Sequence, residues 1–291
     1  MSGNEFGVIV AVGVDGVRDG ALDLAAEEAV ARATGVELLH VTHSMVVAPS
    51  SAEQMEIIDR SMAKVGRDVL TDAAARMRPR LEGRMPVSTQ LLTGSPATTI
   101  THRACDADVV ILERRDAGSV EQLLTLSVST RVAAHAPCPV VVVPRSWSPV
   151  GRDELPVTVG VDDPADPVGQ VETAAAYAAA RGRQLRVLHA AWVAEPFQSV
   201  ALTGPSGRDW VEAARTELET SLDKLPDSAV EIVPDVQWAR PGDALVAATR
   251  ASSVLVLSRR AARHPFTAHL GGITRTVLYH ASCPVMVADR T

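Results

Sequence analysis

The sequence predicts an α/β protein built from two copies of one domain, each a parallel sheet covered by helices on both faces. Two observations carry this. Short continuous runs of Val, Ile and Leu alternate with longer helical stretches, the pattern of buried parallel strands joined by crossover helices. The run that closes the first half, Ala136-Pro137-Cys138-Pro139 with four valines behind it, also returns 145 residues later as Ala281-Ser282-Cys283-Pro284-Val285-Met286-Val287. A histidine precedes both copies, His135 and His280. Recurrence at half the chain length marks a duplication.

The elements follow in order. Residues 8–14 form an apolar run that ends at Asp15-Gly16 and reads as a buried strand and a turn. Residues 21–33 place Leu22, Ala25, Ala26, Ala29, Val30 and Ala33 on one helical face, with Gly35 as the C-cap. A second strand is expected over 36–41, and a long helix from 53 to 77 that stops before Pro79. A third strand spans 86–92, and Pro96 opens a short helix running to Cys105. Strand four (108–112), a helix (119–134) and strand five (140–143) complete the copy. The polar, Pro- and Gly-containing stretch that follows breaks the pattern. The domains are accordingly placed at 1–146 and 155–291, with a linker at 147–154. The second copy repeats the order: strand 156–161 ending at Asp162-Asp163, helix 171–181, strand 184–189, helix 208–225, strand 230–238, a short helix from Pro241, strand 253–257 and helix 266–280.

The bulk composition narrows the function. The 291 residues are 46% apolar and 22% charged, enough for full cores. The net charge of −7 is shared evenly by the halves and no basic patch stands out, which argues against nucleic acid or an anionic membrane as partner. No apolar run approaches the length of a membrane span, and the N-terminal residues lack the basic and apolar regions of a signal peptide. Three cysteines without metal or redox spacing fit a reducing cytoplasm, and Cys138 and Cys283 read as packed core thiols. The expected location is cytoplasmic.

Most catalytic signatures are missing: no phosphate loop ending in Gly-Lys-Ser/Thr, no zinc helix, no Cys-x-x-Cys and no nucleophile elbow. Gly13, Gly16 and Gly20 have the wrong spacing for a dinucleotide loop. The repeated histidines, His40/His189 and His135/His280, have no recurring carboxylate or serine beside them and read as structural. Asp15 and Asp162 each lie just past the carboxyl end of a first strand, where open parallel sheets bind ligands. An aspartate there can accept hydrogen bonds from a ligand or cap its own turn, and both readings stay open.

These residues give the chain its resemblance to the universal stress protein family in tandem form. The likeness rests on Val-Gly-Val-Asp at 12–15 and 159–162, on His40-Val41 and on the two closing strands, and it covers nearly the whole chain. It implies a Rossmann-like sandwich of the adenine nucleotide alpha hydrolase type, with strand order 3-2-1-4-5. It also implies that the two fifth strands pair as an intramolecular pseudo-dimer, which would cover two apolar edges. A homodimer and unidentified protein partners are further expectations.

Many members of the family bind ATP or a related adenine nucleotide through Gly-x-x-Gly, nine residues, then Gly-Ser/Thr. Glycines let phosphates approach, and the second pair opens a helix whose N–H groups hold anionic oxygens. In repeat one the matching positions are Glu113, Asp116, Leu126 and Ser127, with no glycine and two carboxylates, so this repeat is expected not to bind ATP in the family manner. In repeat two they are Ser258, Ala261, Gly271 and Gly272, with Arg259, Arg260 and Arg263 nearby. The adenine-side positions implied are Asp15 and Val41 in repeat one, and Asp162 and Ala190 in repeat two. The reading that results is a non-catalytic stress-response binding or regulatory protein with degenerate nucleotide loops. Its alternative is a sensor holding ATP, AMP or a cyclic nucleotide in repeat two, a reading that leaves slow hydrolysis open.

Overall fold

The computed structural model describes residues 5–42, 52–114, 121–152, 154–192, 207–225, 228–259 and 270–289, with the backbone alone at 52, 121–127 and 207. The chain separates into two compact units, residues 1–149 and 150–291.

Unit one runs β1 (Val8–Ala11), α1 (Asp19–Arg32), β2 (Val36–Thr42), α2 (Ala52–Leu81), β3 (Val87–Thr93), α3 (Pro96–Arg103), β4 (Val109–Arg114), α4 (Glu121–His135) and β5 (Val140–Pro144). Its strands lie in the order β3-β2-β1-β4-β5, all parallel. Unit two runs β6 (Val157–Val161), α5 (Val168–Ala179), β7 (Leu185–Ala191), α6 (Gly207–Leu222), β8 (Ile232–Trp238), α7 (Pro241–Ala248), β9 (Val254–Ser258), α8 (Gly272–His280) and β10 (Val285–Ala288). Its order is β8-β7-β6-β9-β10, again parallel, so both units have the order 3-2-1-4-5.

The central strands are buried on both faces, which is why they read as unbroken apolar runs. Val8, Val109, Val110, Ile111, Val140 and Val141 are fully buried in unit one, as are Val157, Val159, Leu185 and Leu255 in unit two. Each such side chain contributes roughly 1.5–3 kcal/mol by leaving water. The outer strand β3 is mostly half-exposed, and its sequence is correspondingly mixed.

Several elements depart from the sequence expectation. The C-cap of α1 is Ala33, left-handed at φ 52°, not Gly35. The N–H groups of Ala33 and Thr34 close the helix on the Val30 and Ala29 carbonyls at 3.2 and 3.0 Å. Gly35 is needed for a different reason: a Cβ there would lie 2.6 Å from the Glu5 carbonyl oxygen and 2.8 Å from Phe6 and Pro86. Helix α2 does not stop before Pro79 but continues to Leu81. Met77 and Leu81 are both fully buried, and that burial offsets the N–H that Pro79 lacks. Trp147, inside the expected linker, is buried in unit one and donates its backbone N–H to Pro144 at 2.9 Å. Gly20 makes room for it, since a Cβ at that position would stand 2.3 Å from the Trp147 carbonyl oxygen.

Candidate functional site

Each unit has a cleft at the carboxyl ends of its strands, where the sheet order reverses between its first and fourth strands. Chain leaves those two strands in opposite directions, so a crevice opens between the departing loops.

The unit-two cleft has a volume of about 170 Å³. Val161, Leu188, Ala190, Leu245 and Leu257 supply apolar walls, and Asp162, Gln170 and Ser258 supply polar groups. Gly160 keeps the floor low, because a Cβ there would sit 2.7 Å from Leu245 and 2.9 Å from Leu257. At the other side Gly271 is the N-cap of α8 and Gly272 its first residue, and among the described residues no side chain caps this helix end. The first N–H groups of an α-helix have no acceptor within the helix. Gly271, Gly272, Ile273 and Thr274 therefore bring a partly positive helix end to the cleft. Among the described residues a Cβ at Gly272 would meet nothing within 4 Å, so none of their packing requires a glycine there.

The unit-one cleft is larger, about 230 Å³, and its polar chemistry differs. Glu113 lines it and accepts the Arg18 N–H at 2.7 Å. Burial pushes the Glu113 carboxyl above the usual carboxylate range, against the opposing pull of the Arg18 N–H and the Arg145 guanidinium. Asp15 lines the same cleft and is ion-paired with Arg145. Helix α4 begins at Glu121, so Leu126 and Ser127 lie in its second turn. Positions that open a helix in unit two are thus interior to one in unit one, where backbone N–H groups are already used.

The two aspartates singled out in the sequence are not equivalents. His40 Nδ1 donates to the Val12 carbonyl at 2.7 Å, and His189 Nδ1 donates to the Val161 carbonyl at 3.1 Å. The ladders agree: Val8 pairs with Val36 and Val109, Val157 with Leu185 and Val254. Val12 therefore corresponds to Val161, and Gly13 to Asp162. The Val-Gly-Val-Asp string occurs in both copies two residues out of step. In unit one the extra reach is taken up by a turn, with the Gly16 N–H on the Gly13 carbonyl at 3.0 Å and Gly16 at φ 79°. Asp15 belongs to that turn.

Of the other positions expected in the site, Val41 lines the unit-one cleft, and Ala190, Ser258, Gly271 and Gly272 line that of unit two. Asp116, Ala261, Arg260 and Arg263 lie outside the described residues, as does the side chain of Ser127. Arg259 borders the unit-two cleft, but its guanidinium is engaged by Asp289 at 2.9 Å. Sequence reasoning passed over Gln170. A signal was present: Gln170, Ala174 and Ala178 form an i, i+4, i+8 stripe on α5, and a buried amide breaks an otherwise apolar face.

Among the described residues no helix is long and apolar enough to cross a membrane. A family model described as the universal stress protein family matches residues 8–144 and again 155–289. A universal stress protein of Mycolicibacterium smegmatis is 27% identical over 99% of this chain and 98% of its own length. One from Mycobacterium tuberculosis is 27% identical over 97% of each chain. The crystal structure of a universal stress protein from Archaeoglobus fulgidus covers 100% of both chains with a TM-score of 0.66 at 16% identity, a likeness of fold.

Proposed function

This chain belongs to the universal stress protein family, and from that premise we propose that it acts by binding rather than by catalysis, holding an adenine nucleotide in unit two and not in unit one. The observation that carries this reading is the position of one helix start. Helix α8 opens at Gly271-Gly272 on the unit-two cleft, whereas α4 already runs through the matching Leu126-Ser127. Free N–H groups at a helix N-terminus suit phosphate oxygens, and the apolar walls suit a flat base. In unit one Glu113 and Asp15 would face the same phosphates with like charge.

The test is calorimetric titration with ATP and Mg²⁺, on the protein and on Gly272→Leu. A Cβ at Gly272 has open space around it, so the variant is expected to keep its thermal midpoint while losing nucleotide by at least about tenfold, the side chain occupying the phosphate approach. Absence of heat up to about millimolar ATP, a ΔG near −4 kcal/mol, would count against a nucleotide site and leave recognition of protein partners as the function. Undiminished binding in Gly272→Leu would remove α8 from the site.

A further inference from the structure

The unit-two cleft contains a buried polar atom with no hydrogen-bond partner among the described residues. Gln170 is 4% exposed, and its Oε1 has no hydrogen-bond partner among the described residues. Its Nε2 donates to Asp162 Oδ1 at 3.3 Å. That bond settles which way the amide faces, since a carboxylate accepts and only the NH₂ end can donate. Oε1 is therefore directed away from Asp162. Gln170 and Asp162 both line the cleft. A buried amide oxygen without a donor is destabilising, and such groups in native proteins call for a partner.

Unit one carries neither member of the pair. Counting from the shared histidine bond, Asp162 corresponds to Gly13. Helices α1 and α5 then start in step, at Asp19 and Val168, each followed by glycine, Gly20 and Gly169. The next residue is Ala21 in unit one and Gln170 in unit two, both buried. The two acceptors are present together in one cleft and absent together from the other, which fits a joint role toward a ligand better than two separate packing roles.

Resting on the nucleotide reading above, we propose that Gln170 is a specificity-determining residue of the unit-two site. With Asp162 orienting its amide, it presents Oε1 as an acceptor that selects nucleotides carrying a hydrogen-bond donor at that point. Adenosine offers two such donors, the exocyclic amine of the base and the ribose hydroxyls. A keto purine lacks the first and a 2′-deoxynucleotide lacks one of the second.

The experiment is a cycle between protein and ligand. ATP, ITP and dATP are titrated calorimetrically into the native chain and into Gln170→Met, which keeps the length of the side chain and removes its polar atoms. The native chain is expected to prefer ATP by about tenfold over ITP or over dATP, and Gln170→Met to lose that preference. Collapse of the ATP/ITP ratio identifies the amine as the group read; collapse of the ATP/dATP ratio identifies the hydroxyl. If the native chain binds ATP and both ratios persist in Gln170→Met, or if it shows no preference, the role of Gln170 is overturned while the site stands. If the native chain binds none of the three, the nucleotide reading itself fails and the inference with it. Thermal unfolding of the unliganded variant supplies the control: the midpoint is expected to change little, because removal of the unpaired buried Oε1 offsets loss of the 3.3 Å bond from Nε2 to Asp162. Gln170→Leu repeats the cycle if the methionine variant does not fold.

Discussion

Glu113 shows how one side chain can set the chemistry of a cleft. It lines the unit-one cleft, and burial raises its carboxyl above the ordinary range. A carboxyl with a raised folded pKa binds its proton more tightly in the native state than in the unfolded one. It therefore lowers stability as pH climbs from the unfolded value near 4.5 through the folded one, and costs nothing below both. Glu113→Gln keeps an acceptor for the Arg18 N–H and removes the charge. Its thermal midpoint is expected to exceed that of the native chain at pH 7 and to converge with it at about pH 4. The cysteines offer a second test at this scale. Cys283 is buried and its thiol is pushed up to about 12, Cys138 is also buried, and Cys105 is exposed. A thiol reagent at pH 8 is expected to modify Cys105 rapidly in the native protein, and the other two only after unfolding. Rapid loss of all three would show that the closing strands open easily.

At the scale of elements, strand identity was legible in the sequence and strand register was not. Among the described residues the central strands stood out as apolar runs because they are buried on both faces, while the outer strands β3 and β8 have mixed sequences and are mostly half-exposed. The repeated Val-Gly-Val-Asp string suggested an equivalence that the ladders deny, since four matching letters cannot report which carbonyl a histidine on the next strand will reach. Helix ends were misjudged for a related reason. Gly35 and Pro79 are strong local signals, yet Ala33 takes the left-handed cap and α2 runs on through Pro79, because burial of Met77 and Leu81 outweighs one missing hydrogen bond. Gly35 is held instead by close approach, and Gly35→Ala is expected to destabilise unit one by about 1–3 kcal/mol in denaturant melts. A neutral result would mean that the Glu5 segment gives way.

Ion pairing at the second strand of each unit also diverged within this common frame. In unit one Glu37 on β2 is held by Arg103 from α3 at 2.7 Å, whereas the matching β7 position in unit two is Arg186, paired with Asp235 on β8. The charge has changed sign and its partner has changed element while the sheet order stayed the same. Such exchanges are tolerated when each charge that loses water keeps a counter-charge: Glu37 is buried, and Arg186 and Asp235 are half-buried.

Across the whole molecule, a duplicated fold carries two clefts with unlike chemistry. The one in unit two combines an uncapped helix start with the Asp162–Gln170 acceptors. The one in unit one combines Glu113 and the Asp15–Arg145 pair with a helix that runs on through Leu126 and Ser127. Fold alone does not assign a function to either, and the difference lies in a handful of side chains and one helix boundary. That repeat one has Glu113 and Leu126-Ser127 where repeat two has Ser258 and Gly271-Gly272 was visible in the sequence. The geometry that isolates Gln170 was not, because it depends on which face of α5 meets the cleft and on the direction of a single amide. The asymmetry of the two clefts is tested most directly by the stoichiometry of ATP binding to the full chain with Mg²⁺, measured by calorimetry. One nucleotide per chain is expected, lost in Gly272→Leu and kept in Glu113→Gln. Two nucleotides per chain would contradict a site confined to unit two, and a single one that survives Gly272→Leu would contradict a phosphate site at the start of α8.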